Sequence, residues 1–168
     1  MSKPLPETAN FLKQAERNVT LEGTLPLNRL ERLSEFLHDN SGELFAKLNF
    51  SSNTGYLRLQ GRVEAALDLI CQRCLQPMEL PVSGEFKFGL LTSEKYEDRL
   101  PPDAEPYLLE GDEQSVIEIL EDELLLSIPI AATHQGECSE FLQQQAEERQ
   151  VEKEKSNPFA VLKDLKRD

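Results

Sequence analysis

Cys71-Gln72-Arg73-Cys74 is a Cys-x-x-Cys pair, and further along the chain His134 and Cys138 stand with three residues between them. Three thiolates and one imidazole are a sensible tetrahedral donor set for zinc, and a Cys-x-x-Cys turn at the end of a hairpin aims both sulfurs to one side. Cys71, Cys74, His134 and Cys138 are therefore the candidate metal ligands. Sixty residues separate the two halves, so on the sequence alone the plainer reading leads. In that reading a reduced cysteine pair packs a tight turn, and His134 and Cys138 lie in an exposed loop. Redox chemistry fits the pair less well. A reactive dithiol of the thioredoxin kind starts a helix, whose dipole lowers the thiol pKa, whereas strand patterns flank Cys71 and Cys74 on both sides.

Other reactive constellations are weak. The two histidines, His38 and His134, belong to no local catalytic pattern, and there is no phosphate-cradling glycine loop or Gly-x-Ser-x-Gly elbow. Glu118, Glu121, Asp122 and Glu123 read as the solvated face of a helix. Lys47, Arg58, Arg62 and Lys87 fall on one side of a sheet by period two, with Arg73 in an adjoining turn. They could meet RNA phosphates, but Glu64, Asp68, Glu79 and Glu85 fall on the same side and would neutralise them. An ordinary mixed-charge surface is expected, and no enzyme.

These residues need elements to carry them. Val19, Leu21, Gly23 and Leu25 alternate with polar residues as a short strand does. Leu27, Leu30, Leu33 and Leu37 predict a helix over 27–39, opened by Pro26 and closed by Asn40-Ser41-Gly42. Three strands then follow, marked by Leu44 to Phe50, Leu57 to Leu69 and Met78 to Phe88, with short turns between. Pro81 belongs at an edge or bulge, because it cannot donate to a ladder. Residues 92–105 predict a mobile acidic loop, and Tyr107 to Leu109 a short edge strand. Ser115 opens a second helix over 115–127, with Glu118 at the capping-box position.

The fold class is then α+β: a curved antiparallel sheet, meander-connected, with packed helices and a partly mobile C-terminal segment. Residues 1–18 are expected to be a flexible N-terminal segment, and 19–138 a single α+β domain. Residues 139–168 form a polar C-terminal segment with an apolar anchor at 157–165, built on Phe159, Val161, Leu162 and Leu165.

Bulk properties bound the function. A chain of 168 residues and 19.1 kDa can bury one real core. Its net charge of −13 disfavours indiscriminate coating of nucleic acid or an anionic membrane. The charge is uneven, because residues 94–123 hold 12 acidic and 2 basic side chains. That segment could receive a basic partner such as a ribosomal protein. The longest apolar stretch, Leu124 to Ala132, is far short of the roughly 20 residues of a membrane helix. With no secretory leader in view and an odd count of three cysteines, a cytoplasmic, reducing location is expected.

Three ordered stretches carry a resemblance: Cys71-Gln72-Arg73-Cys74 after a long strand; Glu121-Asp122-Glu123-Leu124-Leu125-Leu126-Ser127-Ile128-Pro129 followed by His134 and Cys138; and Asn157-Pro158-Phe159-Ala160-Val161-Leu162 with Leu165-Lys166-Arg167. Together they resemble the YceD family, the large ribosomal RNA subunit accumulation proteins. The resemblance implies a bacterial cytoplasmic factor supporting synthesis, processing or stability of 23S rRNA, with no established enzyme activity, and a noncatalytic binding role is expected. The expected partners are a pre-large-subunit particle and 23S rRNA, directly or indirectly, to which the acidic segment adds a basic ribosomal protein; no membrane is expected. Some relatives carry a second Cys-x-x-Cys where this chain has His134 and Cys138. The alternative reading is a metal-dependent RNA-processing enzyme, or an adaptor that recruits one.

Overall fold

The computed structural model describes residues 3–52 and 55–139. Five strands make the main sheet: β2 (Thr20–Pro26), β3 (Glu43–Ser51), β4 (Leu57–Ile70), β5 (Pro77–Leu91) and β6 (Glu105–Leu108). They lie side by side in that order. The pairs β2–β3, β3–β4 and β4–β5 are antiparallel, as the meander predicts. The edge strand expected near Tyr107 exists, but β6 runs parallel to β5, at Phe88 to Leu91. The chain from β5 to β6 returns to the end where it started, by way of a 3-10 stretch at Glu94–Arg99 inside the acidic loop.

Alternation decides the faces. Leu44, Ala46, Leu48 and Phe50 of β3, and Leu59, Val63, Leu67 and Leu69 of β4, are buried. The residues between them face outward, where a row Glu22, Lys47, Arg62 and Glu85 crosses four strands in register. A one-residue slip would exchange the two faces wholesale, so burial pins the register. Pro81 is exposed on a part of β5 that β6 does not reach, an edge position that spares the ladder.

The buried face is covered by α3 (Val116–Ser127), which starts where predicted. Ser115 Oγ accepts from the Glu118 N–H at 3.1 Å and so satisfies one of the helix's orphan donors. Val116, Ile119, Leu120 and Leu124 recur at helical spacing and are buried. Close approach to β5 requires Gly84. A Cβ there would stand 2.6 Å from Ser127 Oγ and 3.5 Å from the Glu123 carbonyl.

Two expectations give way. The helix predicted over 27–39 is instead a 3-10 turn at Leu27–Arg29 and one turn of α-helix, α2 (Glu31–Ser34). Leu27, Leu30 and Leu33 are all buried, as the pattern requires. Their spacing of three suits the tighter 3-10 period as well as the α period, and the backbone breaks at Leu30 (φ −97°, ψ 90°). Beyond α2 the chain returns to the sheet, with the His38 N–H donating to the Asp68 carbonyl at 2.7 Å.

The N-terminal segment expected to be flexible has a place in the fold. It forms β1 (Thr8–Ala9) and α1 (Phe11–Glu16), capped by Asn10. Phe11 and Ala15 are buried, and the Phe11 ring meets Phe50 edge-on at 5.0 Å. β1 pairs with β7 (Gln114–Ser115) just before α3. The sequence hides this, since Leu5, Phe11 and Leu12 are its few large apolar side chains after Met1 and form no long periodic pattern. The C-terminal anchor predicted at 157–165 lies outside the described residues.

Candidate metal centre

β4 ends at Ile70 and β5 begins at Pro77, and the link between them is a tight knuckle. The Cys71 N–H donates to the Gln76 carbonyl and the Leu75 N–H to the Cys71 carbonyl, each at 2.9 Å. Closing so short a loop puts Leu75 in the left-handed region (φ 59°), where side chains other than glycine are uncommon. The result aims Cys71 and Cys74 to one side. Cys71 is fully buried, while Leu75 projects into solvent.

The second half arrives from beyond α3. Ile128-Pro129 ends the helix, and the following chain is tied to the knuckle by the Gln72 N–H donating to the Ala132 carbonyl at 2.8 Å. Gly136 (φ 80°) turns the chain between His134 and Cys138. His134 and Cys138 are thus not a detached loop. One donor atom from each of Cys71, Cys74, His134 and Cys138 lies within 4.8 Å of all the others. The Cys71 and Cys138 sulfurs are 3.7 Å apart, and Cys74 Sγ is 3.3 Å from His134 Nδ1.

Arg73, between the two cysteines, folds over the cluster. Its Nε donates to Cys138 Sγ at 3.0 Å, and its terminal nitrogen donates to the carbonyls of His134, at 3.0 Å, and Gly136. The guanidinium is held above its ordinary pKa by the Cys138 sulfur, despite some burial. Read from the sequence as a surface cation able to meet RNA, Arg73 is instead committed to this cluster. Its position inside Cys-x-x-Cys was the available signal.

The thiols are unequal. Burial acts to raise the Cys71 thiol, but donors from Cys74, His134 and Arg73 outweigh it and bring the pKa to about 5. At Cys74 the Gln76 N–H favours the thiolate, and burial with the neighbouring Cys138 and Cys71 sulfurs overrides it and raises the pKa. One site therefore both attracts and spreads negative charge.

The other sequence candidates lie elsewhere. Lys47 pairs with Glu22 at 3.0 Å, Arg62 with Glu64 and with Glu85 at 3.6 Å, and Lys87 with Asp103 at 3.3 Å. Arg58 donates to Ser51 Oγ at 3.3 Å. The mixed-charge reading of that face fits these pairs. The solvated-face reading of the acidic helix fails at Glu121, which is buried. Its carboxylate accepts from Arg32 Nε at 2.8 Å and from the Leu33 N–H at 3.0 Å. Among the described residues, no helix is long and apolar enough to cross a membrane.

Comparison with known proteins places the chain in a family. Residues 59–166, which include all four clustered side chains, match the family model described as "Large ribosomal RNA subunit accumulation protein YceD". The chain belongs to the YceD family. A YceD relative from Haemophilus influenzae, carrying that same description as its name, is 33% identical over 167 residues, covering 96% of each chain. No solved structure matches the chain. The match to the YceD family model begins inside β4, so it spans the knuckle, the acidic segment and α3, while β2 and β3 fall before it.

Proposed function

We propose that this YceD-family chain is a noncatalytic factor of large ribosomal subunit biogenesis in the bacterial cytoplasm. It supports synthesis, processing or stability of 23S rRNA by occupying a surface on a large-subunit precursor. The observation that carries the reading is the end-to-end match to a relative named for large ribosomal RNA subunit accumulation.

Electrostatics supports a contact made through protein rather than through bare RNA. Cations on the open sheet face are engaged by carboxylates, so they offer phosphates little net attraction. The strongest field is negative. Glu105, Asp122 and Glu123 lie near one another, as do Glu110, Glu118 and Asp122 around Tyr107. This surface joins β6 to α3 and suits a basic ribosomal protein, whose approach it would steer.

Depletion followed by gradient sedimentation tests the reading. The chain should cofractionate with pre-large-subunit particles, and 23S rRNA should fall relative to 16S rRNA when it is removed. Crosslinking in cells should join the acidic surface to a basic ribosomal protein. Unchanged 23S levels after depletion, with no association to particles or ribosomal proteins, would overturn the proposal.

A further inference from the structure

We infer that Cys71, Cys74, His134 and Cys138 form a closed structural zinc site that fastens the chain after α3 to the knuckle between β4 and β5. The site goes beyond the biogenesis reading and stands or falls without it. Zinc held by sulfur at about 2.3 Å in a tetrahedron sets neighbouring sulfurs about 3.8 Å apart. The 3.7 Å between the Cys71 and Cys138 sulfurs fits that edge. The 3.3 Å from Cys74 Sγ to His134 Nδ1 is close to the slightly shorter edge expected between a sulfur and a nitrogen ligand. Three soft sulfurs and one imidazole select zinc over the harder cations that favour oxygen.

All four positions come from the protein, which leaves no open coordination place for substrate water and marks the site as structural. Binding releases the thiol protons to solvent and leaves one excess negative charge on the zinc with its three thiolates. Arg73, donating to Cys138 Sγ, lies where that charge is offset. Its further bonds to the carbonyls of His134 and Gly136 orient the second pair of ligands. The competing chemistry is a disulfide between Cys71 and Cys138. It would bring the sulfurs to about 2.05 Å, and the guanidinium would then face an uncharged sulfur.

The test uses the full chain, produced without a histidine tag and kept reduced. Elemental analysis should find about one zinc per chain. Chelation should lower the melting temperature, and added zinc should restore it. Replacing zinc with Co2+ should give the visible absorption of a tetrahedral thiolate centre. Cys138→Ser and His134→Gln should each lose most of the bound metal. Arg73→Gln should keep the stoichiometry and weaken metal affinity about tenfold. The inference is overturned if folded wild-type chain, incubated with excess zinc, retains less than about a tenth of an equivalent. A Cys71–Cys138 disulfide in the cytoplasmic protein overturns it equally, as does full metal retention in both ligand variants. If either ligand variant fails to fold, the cobalt spectrum of the wild-type chain decides alone.

Discussion

Glu121 is one acid in a run of three, and its neighbours do different work. Its side chain is 5% exposed while that of Asp122 is 55% exposed, although both pair with Arg32. The difference lies in the Leu33 N–H, which the Glu121 carboxylate accepts. α2 begins at an N-cap leucine, Leu30, with no side chain to take its orphan donors, and Glu121 supplies the missing acceptor from another helix. Glu121→Ala should therefore cost about 2–3 kcal/mol in urea unfolding, since it leaves a buried N–H without its partner. Asp122→Asn should stay within about 0.5 kcal/mol, as exposed pairs do. A stability loss at Glu121 no greater than that at Asp122 would refute the capping role. Nothing near Glu121 in sequence announces this role, because its partner lies 88 residues away. Cys71 and Cys74 were legible for the opposite reason: their relation is local. His134 and Cys138 could be proposed from residue type, but only the fold brings them to the knuckle.

At the scale of elements, period two wrote β3, β4 and β5 into the chain, because each has one dry face and one wet face. The capped helix α3 was legible through Ser115 and its apolar spacing. α2 was not, since three-residue spacing serves two helix types, and the direction of β6 was set by how the acidic loop returns. The contact between α3 and β5 at Gly84 offers a sharp test. A methyl group there meets Ser127 Oγ too closely, but lies at ordinary distance, 3.4 Å, from Val63. Gly84→Ala should cost about 1–2 kcal/mol from overpacking. Ser127→Ala in the same chain should recover most of that loss, and a double-mutant cycle measures the coupling. Simple additivity would mean that the helix is held off by backbone instead.

Across the whole molecule, the excess charge and its place within residues 94–123 were legible in the sequence, while the surface that the fold makes of it was not. The excess gathers where the link after β6 exposes Glu110, Asp112 and Glu113 and the first turn of α3 exposes Glu118. Changing all four to the neutral amides should leave the melting temperature within about 2 °C, because exposed charges contribute little to folding. It should slow association with large-subunit precursors about tenfold at low salt, with the difference shrinking as salt is raised. Equal association rates for the two forms would remove the acidic surface from the contact.

The pairing of β1 with β7 has a bearing on how the molecule is made. Glu7 offers its carbonyl to the Val116 N–H at 2.9 Å, beside the Thr8–Ser115 and Ala9–Gln114 pairs. Residues 7–9 thus have backbone partners encoded more than a hundred positions later, at 114–116. Until that stretch emerges, α1 lacks the tie that β1 makes beside it, and a growing chain stalled short of it would present an unfinished edge to chaperones.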